Sequence, residues 1–356
     1  MTGAQTLTRD ALDLLIALIR TPSFSGEESG TAQLVSDWLQ AHGIQVQRKG
    51  NNIWATHPKF DVAKPTILLN SHHDTVRPNQ AYSRDPFAAS IEEGKLYGLG
   101  SNDAGGALVS LLATFVHFSQ AEDLTHNLLI AASAEEENSG PNGLNSLLQS
   151  LPDISFAIVG EPTEMQLAIA EKGLLVIDAV ATGTPGHAAH LNPDMAIDKA
   201  LADISWLHQY QFPKVSDFLG PVKMTVTQIN AGHQHNVIPS ECRFVVDVRI
   251  NEHYTNTEVF DIIDAHTQSA LQARSFRHNA SSIPVTHPII QAGISLGRRT
   301  YGSPTLSDQA VLSCPSLKLG PGDSKRSHQA DEFIYVHEIE EGIGLYIEIL
   351  NQILRP

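Results

Sequence analysis

Cysteine is nearly absent: Cys242 and Cys314 are the only two in 356 residues. Two thiols are too few for a disulfide scaffold or a thiolate zinc site. A basic block is missing as well. Lys and Arg number 23 against 39 Asp and Glu, a formal net charge of −16. A chain this acidic is a poor partner for nucleic acid or an anionic membrane. No apolar run approaches the ~20 residues of a membrane span. Asp10 and Asp13 interrupt the first apolar stretch and no basic segment precedes it, so no secretory signal is expected there. These absences lead us to expect a cytoplasmic protein. What is present is a globular composition, 42% hydrophobic and 17% charged, at a length that suits two domains. Histidine is plentiful, at 17. Metal binding by imidazole and carboxylate is therefore the first chemistry to look for.

Helix and strand patterns alternate along the chain. Residues 8–20 have apolar spacing of 3 and 4, with Thr8 as a candidate N-cap. Ser25-Gly-Glu-Glu28 has the spacing of a capping box and opens a second helix, 27–42. Strand-like runs at 44–55, 66–70, 127–133 and 155–159 are interleaved with helices at 104–119 and 142–150. Short apolar runs bounded by turn residues read as buried strands of a parallel or mixed sheet covered by helices. After Gly173 the order becomes strand 174–183, helix 193–209, strands 221–229 and 240–250, helix 256–272 and strand 273–279. That is a βαββαβ, ferredoxin-like pattern. The expected architecture is α/β: one domain of residues 1–173 and 282–356, interrupted by an inserted domain at 174–281.

Five places concentrate acids and histidines at element ends. NSHHDTV (70–76) puts His72 and Asp74 on the same side of an extended segment. A nearby carboxylate commonly fixes the tautomer of a metal-ligating imidazole. GSNDAGG (100–106) sets Asp103 among glycines at a helix start, and SAEEENSG (133–140) sets three acids after a strand. Glu161 in IVGEPT follows another buried strand, and GPGDSKRSHQADEF (320–333) carries His328 and Glu332. Each has a bland alternative: a solvated strand end, an N-cap, an acidic turn, a cap, a polar loop. Together they form an N/O ligand set without thiolates, suited to a pair of zinc, cobalt or manganese ions. Two such ions sharing a carboxylate make a hydrolytic centre.

These motifs resemble, in order and from about residue 8 to 354, the dinuclear zinc deacylases and exopeptidases that include acetylornithine deacetylase and succinyl-diaminopimelate desuccinylase. The resemblance implies a mixed-sheet, zinc-exopeptidase-like catalytic domain and an inserted lid and dimerisation domain. It implies His72, Asp103, Glu137, Glu161 and His328 as ligands of two divalent metal ions, with Asp103 bridging. It implies Asp74 as the residue orienting His72, and Glu136 as general base. A shift of the acid pair to Glu135 and Glu136 stays open at this point. GTPGHAAH (183–190) matches the motif whose histidine acts in the partner subunit's site, which implies His187 as oxyanion stabiliser. HQHNVIP and DVR match segments that hold the substrate carboxylate, which implies Asn236 and Arg249.

Three segments depart from the common pattern. Asp103-Ala-Gly105-Gly106 replaces Asp-x-Lys-Gly-Gly, proline is displaced to Pro78, and SPTLSDQA (303–310) is longer than the usual Thr-Ser-Asp. The strings around Asp103, Asp308 and His328 look nearest to the acetylornithine deacetylase branch. The implied activity is hydrolysis of a small N-acyl amino acid, N-acetylornithine or else N-succinylornithine or N-acetylcitrulline, in arginine biosynthesis, by a homodimer. The alternatives are a succinyl-diaminopimelate desuccinylase, a metallo-dipeptidase or carboxypeptidase, and more remotely a non-catalytic metal-binding relative.

Overall fold

The computed structural model describes residues 3–355. The chain divides into two compact units: residues 1–169, 282–301 and 307–356 form the first, and 170–281 with 302–306 the second.

In the first unit, four apolar runs form the centre of a mixed sheet. Asn127–Ser133, Thr66–His72, Ile154–Val159 and Ser316–Lys318 lie side by side in that order, all parallel. Asn52–Thr56 pairs antiparallel with Asn127–Ser133, and Gln47–Lys49 pairs antiparallel outside it. Thr66–His72 and Asn127–Ser133 are buried at every residue, as expected of strands covered on both faces. The covering helix Gly106–Ser119 is apolar nearly all round and almost wholly buried. Because these central strands run parallel, their carboxyl ends share one edge, and His72 lies in register with Ser133.

The second unit has a four-stranded antiparallel sheet in the order Lys223–Ala231, Glu241–Ile250, Gly173–Thr182, Ala270–Ala273. Burial alternates along the two central strands. Their buried faces (Leu175, Ile177, Phe244, Val246) pack with Leu207 of helix Ala196–Gln209 and with Val259 and Ile263 of helix Asn256–Asp264. The first helix, Gly3–Ile19, starts five residues before Thr8, so Thr8 is no cap. The helix expected over 256–272 ends at Asp264, and the strand expected from 273 is already under way at Ala270. Among the described residues no helix is long and apolar enough to cross a membrane.

Candidate active site

The shared edge of the parallel strands gathers the acids and histidines of the first unit. A crevice outside the carboxyl ends of such strands is where open α/β sheets form sites. His72, 1% exposed, ends its strand with Nδ1 3.0 Å from the Asp74 carbonyl oxygen and 3.4 Å from Asp74 Oδ1. In the neutral ring Nδ1–H donates to Asp74, which leaves the Nε2 lone pair facing the site. Nε2 lies 3.3 Å from Asp103 Oδ1 and 3.9 Å from both Glu136 Oε2 and Glu161 Oε1.

Asp103 is not a helix cap. Its backbone is extended (φ −118, ψ 99) within the turn Ser101–Gly105 that precedes the buried helix. The turn is tight enough to require glycine: a Cβ on Gly105 would lie 2.5 Å from the Gly100 carbonyl oxygen. The two carboxylate oxygens of Asp103 divide between the histidines, Oδ1 toward His72 and Oδ2 3.6 Å from His328 Nε2.

Glu332 holds this turn in place. Its carboxylate is buried and accepts the amides of Gly100 at 3.2 Å, Asn102 at 2.9 Å and Asp103 at 2.9 Å. Nothing in the local sequence separates Glu332 from Asp331, whose carboxylate instead accepts the Ser83 and Arg84 amides. Glu332→Ala would strand three buried donors, at about 1–3 kcal/mol each. We expect it to destabilise the protein by about 3 kcal/mol or more in denaturant unfolding, and to weaken any divalent-metal binding at this edge at least ~10-fold.

The three consecutive acids are separated by their backbone. Glu135 adopts a left-handed φ of 54°. Its carboxylate turns away to accept the Asn142 amide at 3.0 Å and Asn142 Nδ2 at 2.9 Å. Glu136 and Glu137 face the histidines, Glu137 Oε2 lying 2.9 Å from His328 Nε2. Both of their amides donate to Asp74, at 3.1 Å each. His72, Asp103 and Glu137 each offer a ligand atom within 4.8 Å of the others.

Crowding sets the protonation of the site. Burial, then the charge of Asp103, pushes the Glu161 carboxyl up to about 8, with His72 and Lys318 opposing. Burial also raises Glu136 well above the usual range; His72 opposes this, and Glu161, Asp308 and Glu137 reinforce it. The hydrogen bond that His328 donates to Glu137 raises its imidazole to about 9. Burial would raise Asp74 too, but His72, Ser25 and the Glu137 amide outweigh it and keep it low. Asp308, pushed up by burial to about 6, accepts from Ser133 Oγ beneath the acidic turn. The sequence placed it only in a segment of unusual length.

The other three expected site residues lie in the second unit. His187 sits in a two-residue strand paired with Val237, and its Nδ1 accepts the Ala189 amide at 3.1 Å. Its neutral ring therefore carries the proton on Nε2. The Asn236 carbonyl accepts the Ala188 amide at 3.1 Å, which fixes Asn236 beside it. Arg249 is engaged within its own strand: Nε and Nη2 pair with Asp247 Oδ1 at 2.9 Å and Oδ2 at 3.1 Å.

Residues 68–352 match the model of "Peptidase family M20/M25/M40". The chain is 27% identical to succinyl-diaminopimelate desuccinylase 2 of a Ruegeria species over 380 residues, covering 96% of this chain and 94% of that one. It is 28% identical to acetylornithine deacetylase of Proteus mirabilis over 374 residues, covering 95% and 96%. Its fold matches an M20 family metallo-carboxypeptidase from Sulfolobus solfataricus with a TM-score of 0.73 at 17% identity, over 96% of this chain and 99% of that one. A Bacillus subtilis protein described as a dinuclear metal binding peptidase from M20 family matches with a TM-score of 0.70 at 16% identity, over 97% and 98%. With the family match spanning most of its length and the M20 fold beneath it, the chain belongs to peptidase family M20/M25/M40 and is a metallohydrolase of that family.

Proposed function

We propose that this protein hydrolyses the amide of an N-acyl amino acid, N-acetylornithine or a close analogue, to the free amino acid and a carboxylate. The observation that carries the reading is the division of Asp103: one oxygen toward His72, near Glu161, the other toward His328, beside Glu137. This is a donor set for two divalent ions sharing one carboxylate. Its imidazole and carboxylate chemistry suits zinc, with cobalt or manganese as alternatives. When bound, such ions supply Lewis-acid polarisation and lower the pKa of water.

The chain's own residues do the rest. Asp74 holds His72 in the tautomer that presents Nε2. Glu136 takes the proton of the attacking water and returns it to the leaving amine nitrogen. His187 offers its Nε2–H to the developing oxyanion. Asn236 and the remaining donors of Arg249 hold the substrate's carboxylate. We read the second unit as a ferredoxin-like lid and dimerisation domain, and the enzyme as a cytoplasmic homodimer in which His187 serves the partner's site.

One observation favours a second reading, a desuccinylase. Arg77, Arg84 and Arg326 are paired with Glu27, Glu92 and Glu338. Lys172 has no acidic partner among the described residues. Burial lowers its ammonium pKa, and the charges of Lys223 and Arg249 lower it further. Lys223 lies in register with Arg249, so three cations share one end of that sheet with Asp247. Such a group suits the extra carboxylate of a succinyl chain.

A panel assay on the zinc- or cobalt-loaded protein tests both readings. It compares N-acetylornithine, N-succinylornithine, N-acetylcitrulline, N-succinyl-diaminopimelate and dipeptides. We expect one substrate to lead by ~100-fold or more, about 2.7 kcal/mol of transition-state discrimination. A chelator should abolish the activity and added metal restore it. A succinylated leader selects the second reading; turnover that survives chelation, or no amide turnover at all, overturns both.

A further inference from the structure

The segment Ser25-Gly26-Glu27-Glu28 has no part in the chemistry above. Its spacing is that of a capping box, and the same spacing at Thr255–Glu258 does form one. There the Thr255 amide donates to Glu258 Oε2 at 2.7 Å and the Glu258 amide to Thr255 Oγ1 at 3.2 Å. At Ser25–Glu28 neither side chain serves the helix. Ser29–Ala41 begins after Glu28 with no side-chain cap.

Both side chains point instead to the acidic turn and its support. Ser25 Oγ donates to Asp74 Oδ2 at 2.7 Å. Glu28 is fully buried and accepts the Gly26 amide at 2.5 Å, Asn51 Nδ2 at 2.8 Å and the Glu135 amide at 3.2 Å. The Thr75 amide donates to the Ser23 carbonyl at 2.8 Å, which keeps this segment alongside Asp74.

As a result, three successive amides of one turn each donate to a buried carboxylate from another part of the chain. Glu135 donates to Glu28 Oε1, Glu136 to Asp74 Oδ1 and Glu137 to Asp74 Oδ2. Hydrogen bonds to an ionised acceptor are the strong ones. They are needed here because Glu135 sits in the left-handed region (φ 54), which a residue with a Cβ keeps only when its surroundings enforce it. That conformation is what sends Glu135 toward Asn142 and leaves Glu136 facing the histidines.

We infer that Glu28, with Ser25, is a positioning residue for Glu136: it fixes the peptide before the proton carrier, and Ser25 steadies the carboxylate that fixes the next two. The inference rests on the reading of Glu136 as that carrier.

Two variants and one non-kinetic measurement test it. Glu28→Gln keeps the side chain's shape but sets an amide NH₂ among donors. It should lower kcat about 30-fold or more while KM stays within about threefold and both metal ions are retained, the pattern of a displaced reacting group. Ser25→Ala should lose about fivefold in kcat, and Ser25→Thr, which keeps the hydroxyl, should restore it. Amide hydrogen exchange across residues 134–139 should quicken in Glu28→Gln and Ser25→Ala and return to the native rate in Ser25→Thr. Full kcat in Glu28→Gln, or a fall in kcat with exchange across 134–139 unchanged, overturns the inference. If the native enzyme hydrolyses no amide, the proposed function fails, and the exchange measurement alone decides the positioning role.

Discussion

Glu136→Gln is expected to keep both metal ions and lose turnover by ~10³-fold or more, a barrier increase of about 4 kcal/mol. The substitution preserves volume and one acceptor oxygen but removes the group that can carry a proton from water to the leaving nitrogen. Metal retention follows from the proposed ligand set of His72, Asp103, Glu137, Glu161 and His328, to which Glu136 does not belong. The turn should also stand, because Asp74 holds the Glu136 backbone amide rather than its side chain. The environment fits the role: burial raises the Glu136 carboxyl well above its usual range, so it readily holds the proton it takes. Elemental analysis alongside kcat on the preferred substrate checks the prediction. A near-native rate would remove Glu136 from the chemistry, and loss of metal would move it into the ligand set.

The edge on which the site forms was legible because its strands are short, wholly apolar and followed at once by acids or histidines. Thr66–His72, Asn127–Ser133 and Ile154–Val159 are all of this kind. Local boundaries were less legible. Residues 265–272 contain no glycine or proline, so the pattern gave no stop after the helix that ends at Asp264. Among Glu135, Glu136 and Glu137 composition could not choose, since a single positive φ separates them. Glu28 was visible but misassigned: capping-box spacing is a local signal, and its true partner, the Glu135 amide, is 107 residues away in sequence. Glu332 and Asp308 were hidden for the same reason, because their partners lie at Gly100–Asp103 and Ser133. The Arg249–Asp247 pair could have been foreseen. Residues two apart on a strand share a face, and an acid beside an arginine there will occupy its fork.

Asp103→Ala should have the largest effect on metal content: fewer than two ions bound and turnover down by ~10⁴-fold or more. Without the shared carboxylate, His72 with Glu161 and His328 with Glu137 become two separate half-sites. Metal loading of the native protein should also carry a pH signature. Glu161, raised to about 8, is neutral and protonated at pH 7, and His328, raised to about 9, is positively charged there. Burial would lower His72, but hydrogen bonds to Asp103 and Asp74 outweigh it and raise the imidazole well above its ordinary value too. A cation needs all three deprotonated, so loading must release more than one proton per ion at pH 7. The sign is fixed: affinity should climb as pH rises from about 6 to 9, because the proton that competes with the metal becomes scarcer. Calorimetric zinc titrations in two buffers of different ionisation enthalpy measure the release directly. An affinity that stays flat over that interval would mean that the carboxylates and histidines at this strand edge are not the metal's ligands.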